Sequence, residues 1–423
     1  MASIENDLSQ AIITLGGKGT RLSEISHGTP KPLLKINGKS TLERSIKILV
    51  GQGISRFIWL LNFKYNKFKE EADYFVEKYK INIILHKEDK PRGEAGGLLE
   101  IKDLLDDNFL FLNGDIIFDI NLNKFKGFHI RNNSDLSFIT HITNHPEDSD
   151  CVSESPSFRL NRYKLKESKE SDNNFYLGNA GISLIQKKII DFISKSNIKK
   201  NKELSLFKDF IVFAHLNKFL VFSYNTSEYL KDMGTPKRID EVKKDLEVGL
   251  IESRSYRKKQ RVLFLDRDNT LIDCLPGKYI ITEDFKLLEE NIIKISKIAN
   301  NFNFVILVSN QPQISMGLTT HQKVIDINSK LILNCQKLGL NISCAYICPH
   351  HPHSGFENEV IELKTDCFCR KPQPGMLINA SFNRNIDIKN SLLIGDSWRD
   401  RQAAKNINME FISVFDLDSS SYF

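Results

Sequence analysis

The sequence predicts an α/β protein of two domains, and three observations carry that reading. Short runs of β-branched and aromatic residues recur along the chain with amphipathic helical stretches between them. At 423 residues the chain is too long for one hydrophobic core. Near the middle the alternation gives way to a charged stretch, then resumes without any internal repeat, so two unlike domains are expected.

In the first half, strands are expected at residues 11–15, 57–61, 81–85, 109–112, 136–142, 181–185 and 219–224, with helices at 41–52 and 67–80. Helices between successive strands favour a largely parallel sheet. Residues 147–174 are polar and irregular and read as a loop or flap. From 237 to 260 charge dominates: Ile239, Val242 and Leu246 are spaced for one helix face, and 253–260 reads as a basic, solvated connector. Strands follow at 261–265, 304–308, 342–347, 392–394 and 411–414. The expected bounds are residues 8–245 for the first domain, 246–260 for a charged linker and 261–423 for the second domain.

Hydrophobic content of 41% and charged content of 26% are ordinary for soluble globular protein. A net charge of +6 is small for this length, so anionic small molecules are suitable partners and nucleic acid is not implied. The first ten residues are polar and acidic, unlike a signal peptide. No apolar run approaches the roughly 18 residues that a membrane helix needs. A cytoplasmic protein without a membrane partner is expected, and a homo-oligomer is compatible with the sequence. Of seven cysteines, three fall between Cys348 and Cys369 beside histidines, which points to metal in a reducing compartment. Cys151, Cys274, Cys335 and Cys344 lack such company and read as buried apolar residues.

Leu15-Gly16-Gly17-Lys18-Gly19-Thr20-Arg21-Leu22 follows the first strand, and Pro30-Lys31-Pro32 comes soon after. The glycines let the backbone turn sharply and bring its N–H groups against a phosphate chain. A tight strand–helix turn is the plainer alternative. Arg21 would offer a cation to a departing pyrophosphate, and Lys31 a second one held between two prolines. Asp115 of Asn113-Gly114-Asp115 stands at the C-terminal end of strand 109–112, where open α/β sheets bind ligands.

At these residues the chain resembles the sugar-1-phosphate nucleotidyltransferases. Their ordered pattern is G-G-x-G-T-R-L, P-K-P, a strand ending in G-D, then N-A-G and D-x-G-T-P. The last two stand here as Asn179-Ala180-Gly181 and Asp232-Met233-Gly234-Thr235-Pro236. The resemblance implies a Rossmann-like domain that binds nucleotide through Leu15, Gly16, Gly17, Gly19, Thr20, Arg21 and Gly96. It implies Mg²⁺ on Asp115 and Asp232, Arg21 on the triphosphate and Lys31 near the α-phosphate. Asn179 and Lys169 would take the sugar phosphate, with Lys166 a rival for the lysine. Glu94 stands where the family more commonly has small polar residues. A sugar 1-phosphate oxygen would attack the α-phosphorus in line and expel pyrophosphate. A degenerate binding domain is the alternative.

Asp266 and Asp268 directly follow strand 261–265 and flank one residue, so alternation can turn both carboxylates into one pocket. Ser309-Asn310, Arg370-Lys371 and Gly395-Asp396 follow at strand ends or in loops. This order resembles the haloacid-dehalogenase-type phosphatases, a HAD-like (Rossmannoid) fold. The resemblance makes Asp266 the nucleophile, Asp268 the general acid and base, and Ser309 and Lys371 the holders of the transferring phosphoryl oxygens, with Arg370 beside them. Mg²⁺ is expected on Asp266, Asp396 and the backbone carbonyl of Asp268. Asp400 either supports that metal or is a helix N-terminal acid. Asn269 stands where glycine is common.

Cys348-Pro349-His350 and Cys367-Phe368-Cys369 offer three thiolates and one imidazole, a closed set suited to structural zinc. His351 and His353 are rival ligands, and the resemblance favours His350. The zinc-bearing subgroup includes histidinol-phosphate and heptose bisphosphate phosphatases. Residues 277–285 and 348–352 look more like the heptose enzymes, and a companion nucleotidyltransferase has no use for histidinol. The expected function is therefore synthesis of a nucleotide-activated heptose for a lipopolysaccharide, capsule or S-layer glycan. The second domain would remove the 7-phosphate from heptose 1,7-bisphosphate, and the first would join heptose 1-phosphate to GTP. The same two activities on another sugar, such as mannose 1-phosphate, form one alternative. A nucleotide-sugar sensor regulating a histidinol-phosphate-type phosphatase forms another.

Overall fold

The computed structural model describes residues 8–17, 28–143, 149–155, 157–168, 175–196, 202–275 and 277–419. Contacts divide the chain into two units: residues 1–140, 179–224 and 228–255 form one, and residues 141–178, 225–227 and 256–423 the other.

The first unit is built on strand Gln10–Thr14, which pairs in parallel with Arg56–Leu61 on one side and Asn108–Asn113 on the other. Arg56–Leu61 in turn pairs in parallel with Asn82–Lys87. Strand Leu177–Gln186, however, runs antiparallel to Asn108–Asn113, so the sheet is mixed where a largely parallel one was expected. Strand direction depends on how the connections cross the sheet, which local spacing does not encode. Helix Thr41–Val50 starts where the Ser40 side chain accepts the Glu43 N–H at 3.1 Å, and it buries Leu42, Ile46 and Leu49. Trp59 fixes helix Tyr65–Tyr79 on the sheet, meeting Phe68 and Phe75 edge-on at 6.5 and 6.1 Å.

The second unit is a five-stranded parallel sheet in the order Ile342–Cys348, Phe304–Asn310, Val262–Leu265, Leu392–Gly395, Glu410–Ser413. Both faces are covered, as a parallel sheet requires. Leu263, Leu265, Val305 and Leu307 pack with Ile292, Ile295 and Ile298 of helix Glu289–Ala299 on one face. Val262, Phe264, Ile306 and Val308 pack with Met376, Leu377, Ala403 and Ala404 on the other. Alternate residues of the same strands thus feed two cores.

Residues 147–174, expected to be a loop or flap, instead contain an antiparallel hairpin of Cys151–Glu154 and Leu160–Lys164. Its second strand buries only Leu160 and Lys164, with Asn161, Arg162 and Tyr163 between them half-buried, so no apolar alternation announces it. In the basic connector Arg257, Lys258 and Lys259 are exposed. Residues Leu250–Ser253 are helical, and Ser255 and Gln260 are buried. No helix among the described residues is long and apolar enough to cross a membrane.

Candidate active sites

In the first unit, Leu15, Gly16 and Gly17 leave the end of the central strand and line a cavity of about 490 Å³ together with Lys31, Glu88, Asn113, Asp115 and Gly234. Gly114 is needed where it stands. A Cβ there would lie 2.3 Å from the Leu15 side chain and 2.8 Å from the Thr14 carbonyl oxygen. That close approach delivers Asp115 to the cavity. Strands Ile116–Phe118 and Leu230–Asp232 pair antiparallel with Asp232 opposite Ile116, and Met233 N–H donates to the Asp115 carbonyl at 2.9 Å. The two expected metal carboxylates are therefore neighbours on adjoining strands.

Both carboxylates already have cationic partners. Lys31 Nζ pairs with Asp115, and Arg238 grips both Asp232 oxygens at 2.7 and 2.8 Å. Arg238 was not singled out from the sequence; its place one turn into helix Pro236–Glu247, capped by Thr235, was the available signal. Asn179 and Gly181 lie in the strand beside Asn108–Asn113. Glu94 accepts from Asn113 Nδ2 at 2.5 Å and from the Leu206 N–H at 3.2 Å, so it ties the loop at 92–97 to the strand end. Burial, with Glu100 nearby, pushes the Glu88 carboxyl up. Gly96 is buried behind Arg92. Lys166 is exposed, its N–H donating to Asp150. Gly19, Thr20, Arg21 and Lys169 lie outside the described residues.

In the second unit, Asp266 follows strand Val262–Leu265 and Asp396 follows Leu392–Gly395, both at C-terminal ends of the parallel sheet. Lys371 Nζ lies 2.7 Å from Asp266 and 2.5 Å from Asp400, and it also donates to the Val308 carbonyl. Asn310 holds the lysine's backbone in a reciprocal clamp, accepting the Lys371 N–H at 3.0 Å and donating to its carbonyl at 2.9 Å. Ser309 accepts from Gln311, which also reaches Asp268 at 3.4 Å.

Asp400 is the helix N-terminal acid of the two roles weighed for it. It is the N3 acid of a capping box with Ser397 at the start of helix Trp398–Lys405, and its carboxylate shares a cluster with Asp266 and Asp396. Oxygens of these three acids all lie within 4.8 Å of one another. A Cβ at Gly395 would sit 2.6 Å from the Asp400 carboxyl carbon, so only glycine allows the approach. Burial, then Asp400, pushes the Asp266 carboxyl up to about 7 against the pull of Lys371. Burial and Asp400 also raise Asp396. Two buried acids and a half-buried one face a single lysine, and hard oxygen donors at this spacing fit a small divalent cation. The Asp268 side chain points elsewhere, gripped by the fully buried Arg267 guanidinium at 2.9 to 3.2 Å.

Cys348, His350, Cys367 and Cys369 present their ligand atoms within 4.8 Å of one another. The sulfur–sulfur separations are 3.2 to 3.5 Å, and His350 Nδ1 lies 3.2 Å from Cys369 Sγ. Tetrahedral thiolates around zinc would stand about 3.8 Å apart, so the donor set fits that ion with little movement. His351 and His353 face each other outside the cluster. Arg370 donates to the His350 carbonyl at 3.2 Å, linking this loop to Lys371.

Two family models match the chain. Residues 10–248 match the nucleotidyl transferase family, and residues 261–418 match a family described as polynucleotide kinase 3 phosphatase. Two relatives come from Photorhabdus laumondii subsp. laumondii. Its D-glycero-beta-D-manno-heptose-1,7-bisphosphate 7-phosphatase is 33% identical over 142 residues, 34% of this chain and 73% of the relative. Its D-glycero-alpha-D-manno-heptose-1,7-bisphosphate 7-phosphatase is 33% identical over 147 residues, 35% of this chain and 78% of the relative. The D-glycero-alpha-D-manno-heptose 1-phosphate guanylyltransferase of Campylobacter jejuni is 40% identical over 120 residues, 28% of this chain and 52% of the relative.

Proposed function

The chain belongs to the nucleotidyl transferase family and to the family of the heptose-bisphosphate 7-phosphatases, and on that premise we propose that it makes a nucleotide-activated heptose in two steps. The second unit hydrolyses the 7-phosphate of D-glycero-D-manno-heptose 1,7-bisphosphate. The first transfers GMP from GTP to the resulting heptose 1-phosphate, giving GDP-heptose and pyrophosphate. The α anomer is the consistent choice, because phosphatase relatives of both anomers exist whereas the guanylyltransferase relative is named for α. The observation that carries the reading is the pairing of Asp266 with Lys371 in one unit and the glycine-lined cavity bearing Lys31 and Asp115 in the other.

In the phosphatase step, an Asp266 oxygen attacks phosphorus, forming an aspartyl-phosphate as the P–O bond to the sugar breaks. Asp268 swings from Arg267 to give its proton to the leaving oxygen, then takes one from the water that releases phosphate. Lys371 and Ser309 hold the phosphoryl oxygens against the charge of Asp266. Mg²⁺ held by Asp266, Asp396 and Asp400 would neutralise the same charge. In the transfer step, the heptose 1-phosphate oxygen displaces pyrophosphate at the α-phosphorus. Lys31 leaves Asp115 for the α-phosphate, and Asn179 orients the sugar. Asp115 and Asp232 are the two carboxylates suited to a nucleotide-bound Mg²⁺. Arg21 would meet the departing pyrophosphate.

Cys348, His350, Cys367 and Cys369 are assigned to zinc, which holds the loop that presents Arg370 and Lys371. Chelation should lower the melting transition of the second unit by several kcal/mol, since a closed site contributes folding energy, and leave the first transition unmoved. An unchanged second transition would sink the zinc assignment.

The test of function is product analysis with heptose 1,7-bisphosphate, Mg²⁺ and all four nucleoside triphosphates. Phosphate release followed by GDP-heptose and pyrophosphate is expected. A different nucleotide-sugar corrects the base. Phosphate without any pyrophosphate makes the first unit a sensor. Faster phosphate release from a 3′-phosphorylated oligonucleotide than from the heptose overturns the substrate.

A further inference from the structure

Two buried glutamines lie behind Ser309 in the second unit. Ser309 and Asn310 end strand Phe304–Asn310, and the chain runs on through Gln311 and Gln313, both almost wholly buried. The Gln311 N–H donates to the Cys348 carbonyl at 2.7 Å, and the Gln313 carbonyl accepts the Leu318 N–H at 2.9 Å. Their side chains form a relay. Gln313 Nε2 donates to the Ile280 carbonyl at 3.3 Å and to Gln311 Oε1 at 2.7 Å. Gln311 Nε2 in turn donates to Ser309 Oγ at 2.7 Å and to Asp268 at 3.4 Å.

A side-chain amide has a donor end and an acceptor end, and its neighbours decide which way it faces. The Ile280 carbonyl only accepts, and so does the ionised Asp268 carboxylate. Turning both amides over would set an oxygen against each of these acceptors. Turning one alone would set two nitrogens or two oxygens together. The relay therefore donates in one direction, from Gln313 through Gln311 to Ser309. A serine hydroxyl can donate or accept. Facing an amide oxygen, Ser309 would give that oxygen its hydrogen. Facing the nitrogen, it accepts there and keeps its hydrogen for another partner, and an ionised phosphoryl oxygen only accepts. We propose that Gln311, turned by Gln313, keeps the Ser309 hydrogen available to the transferring phosphoryl group. This rests on the reading of Ser309 as a holder of that group. The glutamines act through Ser309, so both are positioning residues.

The test is a double-substitution cycle in the full chain, read as phosphate release from heptose 1,7-bisphosphate. Ser309→Ala should lower kcat roughly 10²-fold, the scale of one lost donor to developing charge. Gln311→Met nearly keeps the side-chain volume and removes the amide. Its kcat should fall roughly 10-fold while KM changes less than about two-fold, the pattern of an interaction made in the transition state. Gln313→Met, one step further back, should show the same pattern with a smaller fall. In the Ser309→Ala background either methionine should change kcat by less than about two-fold, because the hydrogen it directs is gone. No loss in Gln311→Met, a loss that falls on KM, or one that persists in that background overturns the proposal and leaves Ser309 in its role. Full activity in Ser309→Ala overturns the role and the proposal together. If Gln311→Met abolishes the second unit's melting transition, Gln313→Met carries the same cycle.

Discussion

In each unit a Gly-Asp pair at a strand end delivers a carboxylate to the site, but the two surroundings differ. Asp115 has 30% of its side chain exposed and Asp232 42%, each is held by a cation, and Asp115 lines the cavity. Asp266 has 11% exposed and Asp400 none, and a single lysine, itself 4% exposed, lies between them. The difference follows from the chemistry. A transferase that aligns two substrates needs room and exchangeable charges. A nucleophilic carboxylate that attacks a phosphate needs its charge offset at fixed positions in a place with little water. Each acid of the open site has a cation of its own, whereas the closed one sets three acids against a single lysine.

The largest effects should separate the two chemistries. Asp266→Asn should lower phosphate release by roughly 10⁴-fold or more, since no covalent step remains. Pyrophosphate release from supplied heptose 1-phosphate and GTP should change less than about two-fold. Asp115→Ala should do the reverse, lowering pyrophosphate release by roughly 10²–10³-fold, the usual range for one electrostatic group. If either substitution silences both activities in a folded protein, the two sites are not independent.

The lysines sharpen the contrast on the side of stability. Lys371→Met leaves Asp266 and Asp400 buried without their cation and should cost about 3–5 kcal/mol. Lys31→Met leaves Asp115 partly in water and should cost under about 1 kcal/mol. Denaturant melts of the two variants measure both. Equal costs would mean that the burial difference does not govern the charges.

How much of this was legible follows from the distance over which each feature is specified. Strand ends are local, so Gly16, Asp115, Asp266, Ser309 and Asp396 could be set at the C-terminal ends of their strands from the sequence, and each lies at such an end. The cysteine and histidine spacing was readable for the same reason, and the cluster excludes His351 and His353. Partnerships across the fold were not readable. Lys371 meets Asp400 29 residues away, and Glu94 meets Asn113 across 19; each pairing exists only because two strands or loops are folded together. The Arg267 grip on Asp268 hid for a different reason. An arginine between two aspartates looks solvent-facing by alternation, yet its guanidinium is completely buried against Asp268 and Asn328.

A further effect concerns acid, and it belongs to the first unit. His129 lies in helix Leu122–Arg131, buried, with Nδ1 2.9 Å from Ser137 Oγ and Nε2 without a hydrogen-bond partner among the described residues. Burial holds its imidazole down at about 4, outweighing the nearby Asp135. In the unfolded chain the same ring takes a proton near its ordinary value of about 6.5. Between those values the unfolded state binds more protons, so stability is lost as pH falls from about 6.5 to about 4, by at most about 3 kcal/mol. Melts across that range should show the first unit's transition falling with acid. His129→Gln should flatten that fall by about this amount and leave the second unit's transition where it was. A first transition with the same pH slope in the variant would show that another group carries the acid sensitivity.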